Sequence, residues 1–217
     1  MITLEETNVT RLISLFNSVP SDGELYADAY YQDIADRLFQ QGNERWLYLE
    51  EVFPFYKFYD RQSRDNPLDL LSQSRVRAIL FALSQVKSSR KKTEITTLLE
   101  SYLEDSRPSI VAEAIDGLRH QKARKYKIHV LSLLNHVSPF VRGSVLRFVA
   151  TLYPEQSLPI LLRSLDDSDA IVRENAVDEL GDLGDESAIS PLKVLFENEN
   201  DRNVREAIKT ALEMLLV

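Results

Sequence analysis

Three columns of apolar residues recur through the second half of this 217-residue chain with a beat of 31. Ile110, Val141, Val172 and Val204 are separated by 31, 31 and 32 residues. Leu103, Leu134, Leu165 and Phe196 keep a spacing of 31, and Leu99, Val130, Leu161 and Leu192 stand four positions before them. A fixed period of roughly 20–50 residues marks a chain of stacked supersecondary units, none able to bury its apolar face alone. That excludes most folds before any single residue is weighed.

The clearest unit runs from Asp169 to Leu192. Asp169 is placed to cap a helix with an apolar stripe of Val172, Ala176, Val177, Leu180 and Leu183. Gly184 closes it, and Asp185-Glu186-Ser187 turns the chain into a second helix carrying Ile189, Leu192, Leu195 and Phe196. Ser138-Pro139 offers a capping serine and an N1 proline one repeat earlier, and Asp201 takes the capping place one repeat later. A looser pair is predicted over about 72–86 and 93–104. Residues 201–217 close the series as a single helix, with Arg205, Glu206, Lys209 and Glu213 on its wet face.

The first 66 residues do not share the beat. Amphipathic helices are predicted over residues 4–17 and 24–41, the second with Tyr31, Ile34, Ala35, Leu38 and Phe39 inward. Eleven of the 19 aromatic residues fall between Tyr26 and Tyr59. Pro54 is expected to end a helix begun near Asn43, and the polar run Arg61–Pro67 reads as a loop and an internal boundary. The expected division is a helical cap over 1–66 and repeats over 67–217.

The quoted residues, Asp169-x-x-Val172-Arg173, Ala176, Leu180-Gly181-x-Leu183-Gly184 and Ala188-Ile189-x-x-Leu192, resemble a HEAT repeat. They are similar in particular to the short HEAT-like repeat of the phycobilisome-lyase class, found in cyanobacterial bilin lyases and phycobilisome-turnover factors. The likeness is close over 169–192, fair over 138–165 and 201–216, weak over 72–134, and does not reach residues 1–66. It implies an all-α, right-handed α-α superhelix and leaves activity open, since one hairpin serves enzymes, adaptors and assembly factors alike.

Composition narrows the rest. Without cysteine there are no disulfides, thiolate metal sites or Cys nucleophiles. No window approaches the roughly 20 apolar residues of a membrane helix, and the N-terminus lacks the pattern of an export signal, so a cytoplasmic protein is expected. A net charge of −8 disfavours nonspecific nucleic-acid binding. No glycine-rich phosphate loop is present, and His120, His129 and His136 stand at no metal-ligand spacing. Neither metal nor cofactor is expected.

Arg142, Arg173 and Arg205 hold the same place in successive repeats, with Asp167 and Glu199 six residues before the last two. By the resemblance they stitch hairpins together. Ala112 is read in the arginine place of the first repeat, where the ladder stops.

The hairpin turns carry a gradient. Lys87, Arg90, Lys91 and Lys92 are followed by Lys122, Arg124, Lys125 and Lys127, whereas residues 166–201 hold twelve acids against Arg173 and Lys193. Such an edge would orient a docking protein. A DNA-binding reading would use the same cations, but they sit in turns and the chain is acidic. On the second helices, the position two before the closing leucine faces away from the core: Ser101, Ser132, Arg163 and Val194. Tyr26 and Tyr30 fall off the inner stripe and are the aromatic residues expected to be exposed. The expected function is a non-catalytic protein-binding scaffold or assembly factor, with a phycobiliprotein or a second HEAT-repeat subunit as partner. The alternative is a bilin lyase or lyase subunit, with the nucleophilic cysteine on the target.

Overall fold

The computed structural model describes residues 11–20, 27–40, 56–66, 68–87, 89 and 91–216, and every regular element among them is helical. The chain divides into two compact units, Met1–Ile95 and Thr96–Val217.

In the first unit, α2 (Ala27–Gln40) packs along α4 (Leu70–Ser84), with shorter helices α1 (residues 11–16) and α3 (residues 56–65) beside them. Tyr31, Ile34, Ala35 and Leu38 are buried, as their spacing requires. Asp69 caps α4, its carboxylate accepting from the Ser72 amide at 2.9 Å and the Ser72 hydroxyl at 2.8 Å. Ten of the fifteen residues of α4 are buried, so it lacks a clear polar face. The run Arg61–Asp65 is helical, not a loop: Arg64 pairs with Asp60 at 3.2 Å and Arg61 with Asp65 at 3.7 Å, one turn apart, and Ser63 is buried. Polar residues there balance each other along a helix instead of breaking it.

Arg75, 6% exposed, sits between the rings of Tyr31 and Tyr59, at 4.6 and 4.4 Å from their centroids. Its Nε donates to the Phe16 carbonyl and an Nη to the Ser18 carbonyl, each at 2.9 Å, at the end of α1 where helix carbonyls lack partners. The buried cation is thus balanced by helix-end carbonyls and π faces. Burial outweighs the opposing pull of Arg75 and lifts Tyr31 to about 12. The described aromatics Phe16, Tyr31, Tyr56 and Tyr59 form a core, while Phe58 is exposed. Trp46 to Phe55 lies outside the described residues.

The second unit contains the end of α5 (Lys92–Glu100) and three hairpins followed by a last helix. The first helices are α6 (Pro108–His120), α8 (Pro139–Leu152) and α10 (Ala170–Leu183). The second are α7 (Lys127–Leu131) between 3₁₀ turns, α9 (Pro154–Ser164) and α11 (Ile189–Asn198). The first helices and α12 (Arg202–Leu215) pack in chain order, α6 on α8, α8 on α10 and α10 on α12. Among the second helices, α9 lies against both α8 and α10, α7 and the 3₁₀ turn after it lie against α8, and α11 lies against α12. This is an α-solenoid of HEAT-like hairpins.

The repeat register holds. Ile110, Val141, Val172 and Val204 are buried, as are Leu99, Val130, Leu161 and Leu192, while Leu134 and Phe196 of the third column are half-buried. The Asp169 side chain accepts from the Ile171 amide, Asp201 accepts from Asn203 and Val204, and Gly184 ends α10 with φ +71°. Ser138 occupies its cap position without a side-chain bond; instead, the Nδ1 of His136 accepts from the Ser138 amide at 3.0 Å.

Candidate protein-binding surface

The imidazole acceptor at residue 136 belongs to a column that the apolar pattern could not show. Asp105, His136, Asp167 and Glu199 each accept the backbone N–H two residues on, at 2.9, 3.0, 2.9 and 2.8 Å. Arg142 grips Asp167 with Nε and Nη2 at 2.9 and 2.7 Å, and Arg173 grips Glu199 at 2.7 and 2.9 Å. The remaining nitrogen of each donates to the carbonyl six residues back, and Arg205 does the same to Glu199 at 2.9 Å. Arg205 is accordingly turned inward over the Phe196 ring at 4.1 Å, not out to water. In the first hairpin the register puts Val111, not Ala112, in the arginine place, because 31 residues separate it from Arg142. No arginine there reaches forward to residue 136, which is histidine; Arg107 instead holds Asp105 at 2.7 Å, both buried.

Burial pulls Asp167 up, but its bonds to Arg142 and to the Asp169 amide outweigh it and hold the carboxyl below its usual range. The Arg173 bond, against burial, brings Glu199 down to about 2. These arginines are fully engaged within the fold and offer no ligand a free fork.

Ser101, Ser132, Arg163 and Val194 are all exposed, one per second helix or its end, two residues before the third apolar column. The Ser132 hydroxyl donates to the His129 carbonyl at 2.7 Å, and Val194 is 58% exposed. Four positions before Ser132, Ile128 is 85% exposed. The face therefore mixes small polar, cationic and apolar groups.

At the first hairpin turn, Arg124 and Lys127 lie over the ring of Tyr153 at 5.2 and 4.4 Å, and the Tyr153 hydroxyl donates to the Arg124 carbonyl. Lys127 also donates to Gln156, and Lys125 lies over Tyr126 at 4.7 Å. Lys122 is exposed with φ +50°. Burial raises Tyr126, but hydrogen bonds with Thr97, Lys125 and Thr96 outweigh it and lower its pKa. Tyr153 was missed as a site residue, although it stands 31 from both Lys122 and Gly184.

Lys87 and Lys92 are exposed in the first unit, and Lys91 pairs with Glu94 at 2.9 Å. Arg90 and Tyr26 lie outside the described residues. Tyr30 is half-buried; its hydroxyl donates to the Leu15 carbonyl at 3.3 Å and its ring meets Tyr31 edge-on at 5.3 Å, so α1 covers part of it. His129 faces Glu100 at 3.3 Å and Glu104 at 3.6 Å, and His120 lies beside Arg119 at 3.1 Å. Among the described residues, no helix is long and apolar enough to cross a membrane.

Residues 128–213 match the family described as HEAT repeats. An engineered protein of known crystal structure superposes with a TM-score of 0.51 at 16% identity, over 96% of this chain and 98% of that one. A designed armadillo repeat protein gives 0.46 at 17% identity over 95% and 99%. Human deoxyhypusine hydroxylase with glycerol gives 0.47 at 16% identity over 96% and 84%. No curated protein matches the chain. The family match covers less than half of the chain, and the likeness to the engineered protein supports the fold alone.

Proposed function

We propose that this chain is a non-catalytic protein-binding scaffold whose partner lies across the second helices of the stacked hairpins. One observation carries the reading: Ser101, Ser132, Arg163 and Val194 reach solvent on a 31-residue beat, while the residues two positions on face the core side. Neighbouring helix axes in such a stack lie about 8–10 Å apart, so an extended chain crossing them meets a new helix about every three residues. The row supplies groups for hydrogen bonding, charge and apolar contact, which suits a protein surface.

A photo-crosslinking residue at 132 or 163 should capture a protein from a native lysate, and the same residue at Asp182, exposed on α10, should not. Equal capture from all three positions would overturn the reading.

The resemblance of residues 169–192 to the phycobilisome-lyase class supports a finer version, in which the partner is a phycobiliprotein or a second HEAT-repeat subunit and the site of action is the cytoplasm. The same residues favour bilin lyase as the second reading. Mixing the chain with phycocyanobilin separates the two. A red-shifted, sharpened band supports the lyase, and an unchanged spectrum supports the scaffold.

A further inference from the structure

Building on the scaffold reading, we infer that the turn Arg119–His129 docks an acidic segment of a partner protein that carries an apolar side chain among its carboxylates. Lys122 and Lys125 are the charged contacts, and Ile128 is the apolar one. The segment Arg119-His-Gln-Lys-Ala-Arg-Lys-Tyr-Lys-Ile-His129 contains no carboxylate, in a chain whose net charge is −8. Among the described residues none of Lys122, Arg124, Lys125 and Lys127 is paired with an acid. Like charges crowded on one turn repel, and no described carboxylate of the fold offsets that repulsion at these four residues.

The turn is also preorganised. Tyr153, from the next hairpin, takes Arg124 on its ring at 5.2 Å and Lys127 at 4.4 Å, and its hydroxyl fixes the Arg124 carbonyl. Two cations are thereby held in place, while Lys122 and Lys125 stay exposed at the turn's outer edge.

Lys122 adds a separate signal. Position 122 corresponds to Gly184 two repeats on, and both have left-handed backbone, φ +50° and +71°. Glycine adopts that conformation freely; lysine does so at a cost in stability. The chain carries a strained lysine where the third hairpin shows that glycine serves the same turn. Strain retained at an exposed cation points to a contact made there.

Ile128, 85% exposed, gives the site its apolar component and distinguishes its ligand from a phosphate backbone. Beyond it the charge reverses, since His129 faces Glu100 and Glu104. In the next hairpin, the exposed Glu155 stands in the first turn of α9, two residues after Tyr153. The positive segment is short, eleven residues of sequence, and meets acids at His129, which fits a peptide segment better than a duplex.

Two short fluorescein-labelled peptides test the site by anisotropy in low salt: glutamates around a Leu-Leu pair, and glutamates alone. The chain should bind the leucine peptide more tightly. Lys122→Gly should weaken that binding about fivefold, and Lys125→Ser should have a similar effect. The same Lys122→Gly should raise Tm, so a loss of affinity cannot be ascribed to unfolding. Ile128→Ser should abolish the preference for the leucine peptide. Unchanged affinity in Lys122→Gly and Lys125→Ser, or tighter binding of duplex DNA than of either peptide, overturns the proposal. If those variants bind as before while crosslinking at 132 and 163 persists, the docking site falls and the scaffold stands. If crosslinking at 132 and 163 is absent even with the turn unmodified, the scaffold reading falls as well.

Discussion

Arg173 holds Glu199 through both sides of its guanidinium, Nε to Oε2 at 2.7 Å and Nη2 to Oε1 at 2.9 Å, across 26 residues of sequence. Its Nη1 closes the turn behind it on the Asp167 carbonyl at 2.8 Å. One side chain thus ties a hairpin to the turn before it and to the acid that starts the next. Removing either partner strands the other: Arg173→Ala is expected to lower unfolding free energy by about 3 kcal/mol, read from denaturant melts. In a double-mutant cycle with Glu199→Gln, most of that loss should appear as coupling.

The same pair sets an acid limit. Glu199 falls from an ordinary 4.5 to about 2 because Arg173 stabilises its charged form. A depressed acid contributes its stability in full above the unfolded value and loses it as pH falls toward the folded one. Melts of the wild type should therefore weaken between about pH 4.5 and 2, by an order of 2 kcal/mol attributable to this group. Glu199→Gln should flatten that part of the profile. An unchanged slope would show that the pair carries no such linkage.

Gly181 in α10 and Gly184 just past its end serve different ends. A Cβ on Gly181 would lie 3.1 Å from the Ala211 Cβ and 3.2 Å from its Cα, so Gly181 permits α12 to approach. Gly184 has open space around it and φ +71°. Gly184→Ala is expected to cost about 1 kcal/mol through conformation alone. Gly181→Leu should cost more than about 2 kcal/mol by overpacking, and its loss of amide protection should concentrate in residues 202–215.

Arg75→Met tests the balance in the first unit. The substitution keeps length and apolar stem but withdraws two donors from the Phe16 and Ser18 carbonyls and the cation from between Tyr31 and Tyr59. A loss of about 2 kcal/mol is expected, with hydrogen exchange accelerating in α2 and α4. If exchange in 27–40 and 70–84 is unchanged, Arg75 is not the keystone of that core.

Several features follow from residue spacing alone. An apolar beat of 31 forces equivalent positions onto equivalent sides of successive hairpins, so the burial of Val172 and Leu192 and the exposure of Arg163 could be read without coordinates. Caps at Asp169 and Asp201 and the stop at Gly184 are local, each decided within three residues of chain. At Arg61–Asp65 polar composition suggests a loop, but the spacing of its charges allows helical pairs and the segment is a helix. What tertiary structure alone decided are relations between positions more than a dozen residues apart without a shared apolar signature. The ladder of Arg142, Arg173 and Arg205 with Asp167 and Glu199 is legible in the spacing, but which acid each arginine grips, the place of Tyr153 under Arg124 and Lys127, and Arg75 between Tyr31 and Tyr59 depend on which polar side chains the packing brings within reach. Periodicity fixes where a helix turns its core face; the partner of a long charged side chain depends on a few ångströms of packing that no single stretch of sequence encodes.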